Sequence, residues 1–517
     1  MAIRRRIMAL RMYKTPLLII VGCFIMYALL SSPSWREPIM GDEVTIVMWI
    51  KGVGNSAISD YFIKNGEKLF GTWHPPTYAC LAAFLGNFLP INELTIRIIG
   101  ITSFLVSLIL IFLIAYGLFK GEEGREKMSA LACLIYALNP LAVKGSLLID
   151  IDGTILNVIV LAFILALTWY RYDEKSYRSF LIHTILFAAT LCVKLPTPLI
   201  LMASILVYQL LRREKQKLLY TLKIAVSGAS LALFIWVIYC LVNKKDFLGI
   251  FDVPMSVVRS LYFRSRGREG WFLIARNIWA PIIWSSPSFI IMGIIGFWKN
   301  FRERTEGDFL MSRPQFAFYG LMVSGIYIFI GGVTHSFPKY HYASVPVFSI
   351  LASNVFIKNV RVDKRLLFTT IALLPALILY NIYLVKDPLY LVNYALKEAI
   401  ISANVALVST IIKEEAIRIA LLFLAIPIAF LFCIRRKIGE AFIPALFITM
   451  LASNISLLLI QRAADYNTVY CYGARGVREA ANLVVANTEQ SDIIIAPPEI
   501  ILLSNRNLPS YLTARYV

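Results

Sequence analysis

Apolar residues run through this chain in long unbroken blocks. They do not form the period-two alternation of a half-buried strand or the single stripe of a soluble helix. A bilayer span needs roughly 20 predominantly apolar residues. Blocks of this kind fall at 15–32, 94–118, 128–146, 153–170, 179–193, 195–211, 218–242, 278–298, 314–332, 343–357, 366–385, 417–434 and 440–460. They predict an all-α polytopic membrane protein of about 13 transmembrane helices. The first block follows MAIRRRIMALRMYK and has no small-residue cleavage site, so it reads as a retained span. Between the first two blocks, Pro75 and Pro76 set a sharp start to an amphipathic run ending near Pro90, expected as an interfacial helix. From Gln461 the pattern changes. GVREAANLVVANTEQ has helical spacing, and SDIIIAPPEIILL reads as a buried strand and turn. The chain therefore divides into a membrane domain, 1–460, and a small α/β element, 461–517.

Composition supports lipid as the solvent. Of the 517 residues 59% are hydrophobic and 16% charged, with mean hydropathy +0.71. A soluble domain is nearer 45–50% apolar. The net charge of +20 would suggest nucleic acid in a soluble protein. Here the cations sit in short loops: Arg4, Arg5, Arg6 and Arg11; Arg171, Lys175 and Arg178; Arg212, Arg213, Lys215 and Lys217; Lys299, Arg302, Arg304 and Arg313; Lys358, Arg361, Lys364 and Arg365; Arg435, Arg436 and Lys437. All fall on one side of the predicted topology. The positive-inside rule makes that side the cytoplasm, with the N-terminus inside and the C-terminus outside. No basic stripe with interleaved aromatics forms a nucleic-acid module. The seven cysteines include no CxxC spacing, so neither a zinc site nor a disulfide framework is indicated.

The opposite side receives the long, chemically mixed loops, where binding and catalysis concentrate. Gly41-Asp42-Glu43 follows the first span. This is a solvated pair of carboxylates or a general base for an acceptor proton. Trp73-His74-Pro75-Pro76-Thr77-Tyr78 precedes the interfacial run, with His74 a structural hydrogen-bonding group or a ligand. Asp150 and Asp152 stand at a junction between spans, as a hydrated cap or as a substrate or metal site. Lys339, Tyr340, His341 and Tyr342 stand at another, where cations and phenols either anchor the interface or hold a phosphate. Arg264, Arg266 and Arg268, with Arg259 and Arg276, lie in the loop 243–277 against the charge bias, and Lys144 and Lys194 lie near span ends on the same side. They are a solvated face or bidentate phosphate ligands.

In order along the chain, the Asp42-Glu43 pair, the HPPTY segment with its interfacial run, Leu94–Ile98 containing Arg97, Asp152-Gly153, and Lys339 to Tyr342 before VPVFSILAS resemble the dolichyl-phosphate-mannose protein mannosyltransferase and lipid A aminoarabinose transferase superfamily over most of residues 15–360. The resemblance implies the GT-C fold with outer-face interfacial helices. It implies a glycosyltransferase of the cell membrane, active on the outer face. The donor would be a polyprenyl-phosphate-linked sugar, the acceptor a lipid, protein or glycan, and transfer would invert the anomeric carbon. It makes Asp42 the base, with Glu43 in support. Asp150, Asp152, His74, Tyr78 and Arg97 would contact substrate. Lys339, His341, Tyr342, Lys194 and the arginines 264, 266 and 268 would hold the donor phosphate. Relatives often carry a basic residue where His341 stands. Metal use varies in the superfamily; Glu43, His74 and Asp152 could make a divalent site, but no spacing demands one. Two other classes share the architecture. A flippase for lipid-linked glycans would need charges deep in several spans. An O-antigen ligase or polymerase would rest on the 243–277 loop.

Overall fold

The fold was analysed in a computed structural model, which describes residues 2–40, 43, 47, 75, 77–90, 92–172, 176–242, 247–248, 285, 287–303, 309–330, 338–355, 374–375, 439–464, 466–467, 472–473 and 476–506, with side chains from residue 16 on. The expected spans 366–385 and 417–434 and nearly all of the loop 243–277 lie outside these residues.

The described membrane domain is a helix bundle. Its helices are α1 (Ala2–Ser31), α2 (Thr77–Gly86), α3 (Glu93–Leu118), α4 (Arg125–Ala137), α5 (Pro140–Leu147), α6 (Asn157–Trp169), α7 (Tyr177–Leu191), α8 (Pro196–Leu211), α9 (Lys215–Val242), α10 (Pro287–Arg302), α11 (Arg313–Ile330), α12 (Val345–Ser353) and α13 (Gly439–Ala464). Among the described residues, four helical segments are long and apolar enough to cross a membrane: Pro16–Arg36, Glu93–Leu118, Asp152–Trp169 and Lys215–Val242. The 26 residues of α3 rise roughly 39 Å at 1.5 Å each, more than the hydrocarbon thickness. Its start is fixed by Asn92, whose Oδ1 accepts from the Thr95 amide at 2.9 Å. Leu18, Leu29, Leu241 and Val242 are 69–76% exposed, which is the expected state of side chains whose solvent is lipid.

Three expected spans are interrupted, and all three interruptions lie near the same end. The block 128–146 is a pair, α4 and α5, bent by 61°. Asn139 causes the break: its Oδ1 caps α5 through the Leu141 and Ala142 amides, and Pro140 occupies the first turn, where its missing N–H costs nothing. The block 153–170 opens with a π-type turn, Asp152–Leu156, in which Thr154 is non-helical (φ −117°, ψ −108°) and its hydroxyl donates to the Asp150 carbonyl at 2.5 Å. The block 343–357 is the nine-residue α12, buried along its length and preceded by the 3-10 turn Pro338–Ser344. A nine-residue helix rises roughly 13 Å, so α12 does not cross by itself. It is a core element packed on α4 and α10.

Close backbone approach holds the broken pieces. A Cβ at Gly100 would overlap the Ser146 carbonyl, and one at Gly153 would overlap the Gly145 carbonyl. Glycine at both positions lets α3 and the π-turn press onto α5. A buried polar chain ties the same elements: Tyr342 and Tyr136 share a hydrogen bond of 2.7 Å, and Asn157 donates to Tyr136 Oη at 3.1 Å and to Ser107 at 2.9 Å.

Beyond α13 come a two-residue hairpin (β1 Tyr466–Asn467, β2 Tyr472–Gly473), α14 (Val477–Asn487) and α15 (Pro498–Ser504). The helix expected in GVREAANLVVANTEQ forms as α14. The buried strand expected in SDIIIAPPEIILL does not: Ile493 and Ile495 are 65% and 72% exposed, and the second half is α15. Pro497 and Pro498 start that helix, and the apolar run serves a short amphipathic turn packed on α14. Arg478 ties α14 to the membrane domain through the Arg36 carbonyl at 2.8 Å and Glu93 at 3.2 Å.

Candidate active site

Charged side chains gather at two ends of the bundle. At one end Arg313 meets Glu122, Glu303 and the Leu118 carbonyl. At the other, where α5, the π-turn and the 3-10 turn 338–344 converge, four buried cations each face a carboxylate. Arg97 Nη2 lies 3.3 Å from Glu43 Oε2, Lys144 Nζ 2.9 Å from Glu37 Oε1, Lys339 Nζ 2.8 Å from Asp150 Oδ2, and Lys194 Nζ 2.5 and 2.7 Å from the two Asp152 oxygens.

The first two pairs form a frame. Arg97 uses its fork on three segments: Nε donates to the Leu147 carbonyl at 2.9 Å, Nη1 to the Glu37 carbonyl at 2.7 Å, and Nη2 to Glu43. Lys144 adds Ser34 at 2.7 Å. Glu43 is fully engaged, with Oε1 accepting from the Ile149 amide at 3.0 Å and Oε2 from the Met40 amide at 3.2 Å. Burial pushes the Glu43 carboxyl up, against the pull of Arg97 and of these two amides. Tyr78 of α2 is buried beside the frame. Burial raises its phenol, and the Asp150 and Glu43 charges add to that rise. α2 itself is fastened by Thr77, which donates to the Cys192 carbonyl at 2.5 Å.

The second two pairs flank a cleft. Its walls come from the π-turn and α6 (Asp152, Asn157), α8 (Thr197), α11 (Tyr319, Tyr327) and the 338–347 segment (Lys339, Tyr340). Apolar residues line it as well, including Leu161, Ile164 and Val347. The Tyr340 ring lies 5.9 Å from Lys194 Nζ and 5.6 Å from Lys339 Nζ. Burial alone would raise the Asp150 carboxyl. The Lys339 and Lys194 ammoniums, with the Ile151 amide at 2.6 Å, outweigh it and bring it down to about 2.

The residues singled out from sequence thus separate. Glu43, Tyr78, Arg97, Asp150, Asp152, Lys194 and Lys339 come together at one end. His341 and Tyr342 follow Lys339 but turn from the cleft: Tyr342 bonds to Tyr136 and packs on Gly145, and His341 is fully buried, its Nε2 without a hydrogen-bond partner and its pKa lowered by burial to about 4. Lys339 and Tyr340 line the cleft, while packing against Tyr136 and Gly145 holds Tyr342 in the core. Asp42, His74, Arg264, Arg266 and Arg268 lie outside the described residues. Sequence reasoning missed Glu37, the partner of Lys144, and the cleft hydroxyls of Thr197 and Tyr327, which share a bond of 2.6 Å. Glu37 carried a weak signal, a carboxylate just past a span end. The hydroxyls carried none within apolar blocks.

Among the described residues no three His, Cys, Asp or Glu side chains are placed to hold a metal ion. Glu43 has both oxygens committed to N–H donors, and Asp152 has both on Lys194. These donors as arranged present no lone carboxylate to a divalent cation.

Residues 73–294 match the family described as dolichyl-phosphate-mannose-protein mannosyltransferase. No curated protein matches the sequence. By structure, the chain is similar to ArnT from Cupriavidus metallidurans bound to undecaprenyl phosphate, with TM-score 0.58 and 12% identity over 97% of this chain and 88% of that one. The apo state of that protein gives TM-score 0.55 and 13% identity over 95% and 84%. The apo oligosaccharyltransferase of Archaeoglobus fulgidus gives TM-score 0.50 and 12% identity over 96% and 65%. At these identities the structural likeness speaks for the fold, and the matched segment contains α2 through α9, with five of the eight paired residues of the charged end. In fold the chain is similar to these glycosyltransferases, and over residues 73–294, less than half of its length, its sequence matches the protein-mannosyltransferase family.

Proposed function

We propose that this protein transfers a sugar from a polyprenyl-phosphate donor to an acceptor at the non-cytoplasmic face of the membrane. The observation that carries the reading is the cleft, lined by the charged Asp152 and Lys339 together with apolar side chains such as Leu161, Ile164 and Val347. A lipid phosphate has the same polarity, an anionic head on an apolar chain. ArnT, whose fold this chain shares, was crystallised with undecaprenyl phosphate. Loop charges that agree in sign support the placement of this end outside the cell.

In this reading the acceptor hydroxyl or amine attacks the anomeric carbon from the face opposite the phosphate, which inverts that carbon. The bond from anomeric carbon to phosphate oxygen breaks, and its electron pair leaves on the phosphate. Asp42 takes the acceptor proton. The leaving group is already anionic, so it needs cations more than a proton. Lys339 and Lys194 supply them, with Arg264, Arg266 and Arg268 available from the loop. Glu43, locked to Arg97 and the Ile149 amide, holds the Asp42 segment and does not itself react.

The test compares purified wild type with Asp42→Asn on a panel of polyprenyl-phosphate sugars, following release of polyprenyl phosphate. Wild-type turnover that falls by about 10²–10⁴ in the variant, with the melting temperature kept, is the expected result. Equal turnover in both removes Asp42 as base. No turnover with any donor, even with membrane extract as acceptor source, rejects the transferase reading and directs the work to a lipid-scrambling assay.

A further inference from the structure

The two lysines beside the cleft are not open anion sites. Lys194 is held by both oxygens of Asp152, and Lys339 by Asp150, all largely buried. The four buried ion pairs of this end balance, four cations against four carboxylates. A phosphate placed beside the cleft lysines meets buried cations that each already face a buried carboxylate. Two anions competing for one ammonium in a poorly solvated site repel strongly, so one must yield.

The carboxylates differ in how firmly they are held. Glu43 accepts from two backbone amides besides Arg97. Asp152 makes no hydrogen bond among the described residues other than those to Lys194. It also rides on the π-turn, whose Thr154 already departs from helical geometry. Asp150 lies between, with one amide from its own neighbour. The carboxylate that lines the cleft is therefore the one freest to release its lysine.

We propose that Asp152, with Asp150 behind it, is an internal counter-ion that exchanges with phosphate on Lys194 and Lys339, and that its return to the lysines expels the product. This rests on the proposed transfer for the identity of the phosphate. The charge arithmetic gives the direction. A sugar-linked polyprenyl phosphate is a diester with one negative charge. The polyprenyl phosphate left after transfer is a monoester carrying about −1.5 to −2 near neutral pH. The product would bind two bare lysines more tightly than the donor does, and without a competitor it would stay. A tethered carboxylate weakens both anions but opposes the more highly charged one more, which favours turnover.

The experiment measures binding of a polyprenyl phosphate, with no sugar and no acceptor, to the purified full-length chain by intrinsic fluorescence titration. Asp152→Asn is expected to bind it about tenfold tighter than wild type, within the range of ordinary coupling between sites. Adding Lys194→Met to Asp152→Asn is expected to erase the gain. A methyl-esterified polyprenyl phosphate, with one charge, should gain less. Unchanged or weaker binding by Asp152→Asn, with melting temperature retained, overturns the proposal and makes the carboxylate a direct contributor to phosphate binding. If Asp152→Asn does not fold, Asp150→Asn carries the same prediction through Lys339. The two readings fail separately. Tighter binding with no sugar transfer from any donor leaves the exchange standing without the transferase. Transfer with no tightening leaves the transferase without the exchange.

Discussion

At the scale of single residues, the charged end is a set of buried pairs, and each cation is committed by geometry. Arg97 is the clearest case, since its planar fork reaches Leu147, Glu37 and Glu43 at once. Removing one partner of a buried pair strands the other, which costs about 3–5 kcal/mol. Arg97→Met should lower stability by that amount in a thermal-aggregation assay. Arg97→Lys should recover little of it, because a point charge cannot occupy three directions. Asp150 gives a prediction in pH. Its carboxyl is depressed from 3.8 to about 2 in the folded chain, so its contribution is present above the unfolded value and lost as pH falls through the folded one. The gap in melting temperature between wild type and Asp150→Asn should be constant from neutral pH down to about 4 and close between about 4 and 2. A gap that does not narrow there would remove the ionised pair as its source.

At the scale of elements, the site exists because three spans are broken near one end. The α4–α5 bend, the π-turn and the short α12 bring Lys144, Asp150, Asp152 and Lys339 to the same depth. Glycines permit the contact, and the neighbour at each is backbone, which cannot step aside as a side chain can. Gly153→Ala should therefore destabilise by about 1–3 kcal/mol or more through overpacking against Gly145. It should also impair phosphate binding, since the π-turn carries Asp152. Gly22→Ala, in open space on α1, is the control and should be neutral within error. Equal stability of the two variants would show that the π-turn is not pinned by this approach.

At the scale of the whole molecule, the bundle has an apolar middle and two charged ends, and the topology expected from the loop charges has the Arg313 end in the cytoplasm. A cysteine introduced at Arg213, in a chain with Cys80→Ser and Cys471→Ser, should resist a membrane-impermeant thiol reagent in intact cells. One at Asn487 on α14 should react. The reverse pattern would invert the topology and with it the proposed side of catalysis. Arg478 joins α14 to the membrane domain through a half-exposed pair with Glu93. Exposed pairs contribute at most about 1 kcal/mol, so Arg478→Ala should leave the melting temperature nearly unchanged.

The class of this protein and its candidate chemistry were legible without a fold. Long apolar blocks have one solvent in which they are stable, and alternating basic loops give direction, because both depend on composition along the chain. Glu43, Arg97, Asp150, Asp152, Lys194 and Lys339 could be picked out for the same reason: charge beside an apolar block is costly unless it is used. Pairing was not legible. Nothing local matches Lys194 with Asp152 or Lys144 with Glu37, since each partner comes from a distant segment and is chosen by helix packing. Nor was direction legible within Lys339 to Tyr342, where contacts with other helices leave two residues at the cleft and two in the core. The apolar run after Asp492 shows the same limit, since whether it became a strand or a helix depended on α14 beside it. Periodicity and composition act along the chain and can be read there; which charge meets which, and which side chain faces a cleft, are set by contacts across it, and only the tertiary structure decided them.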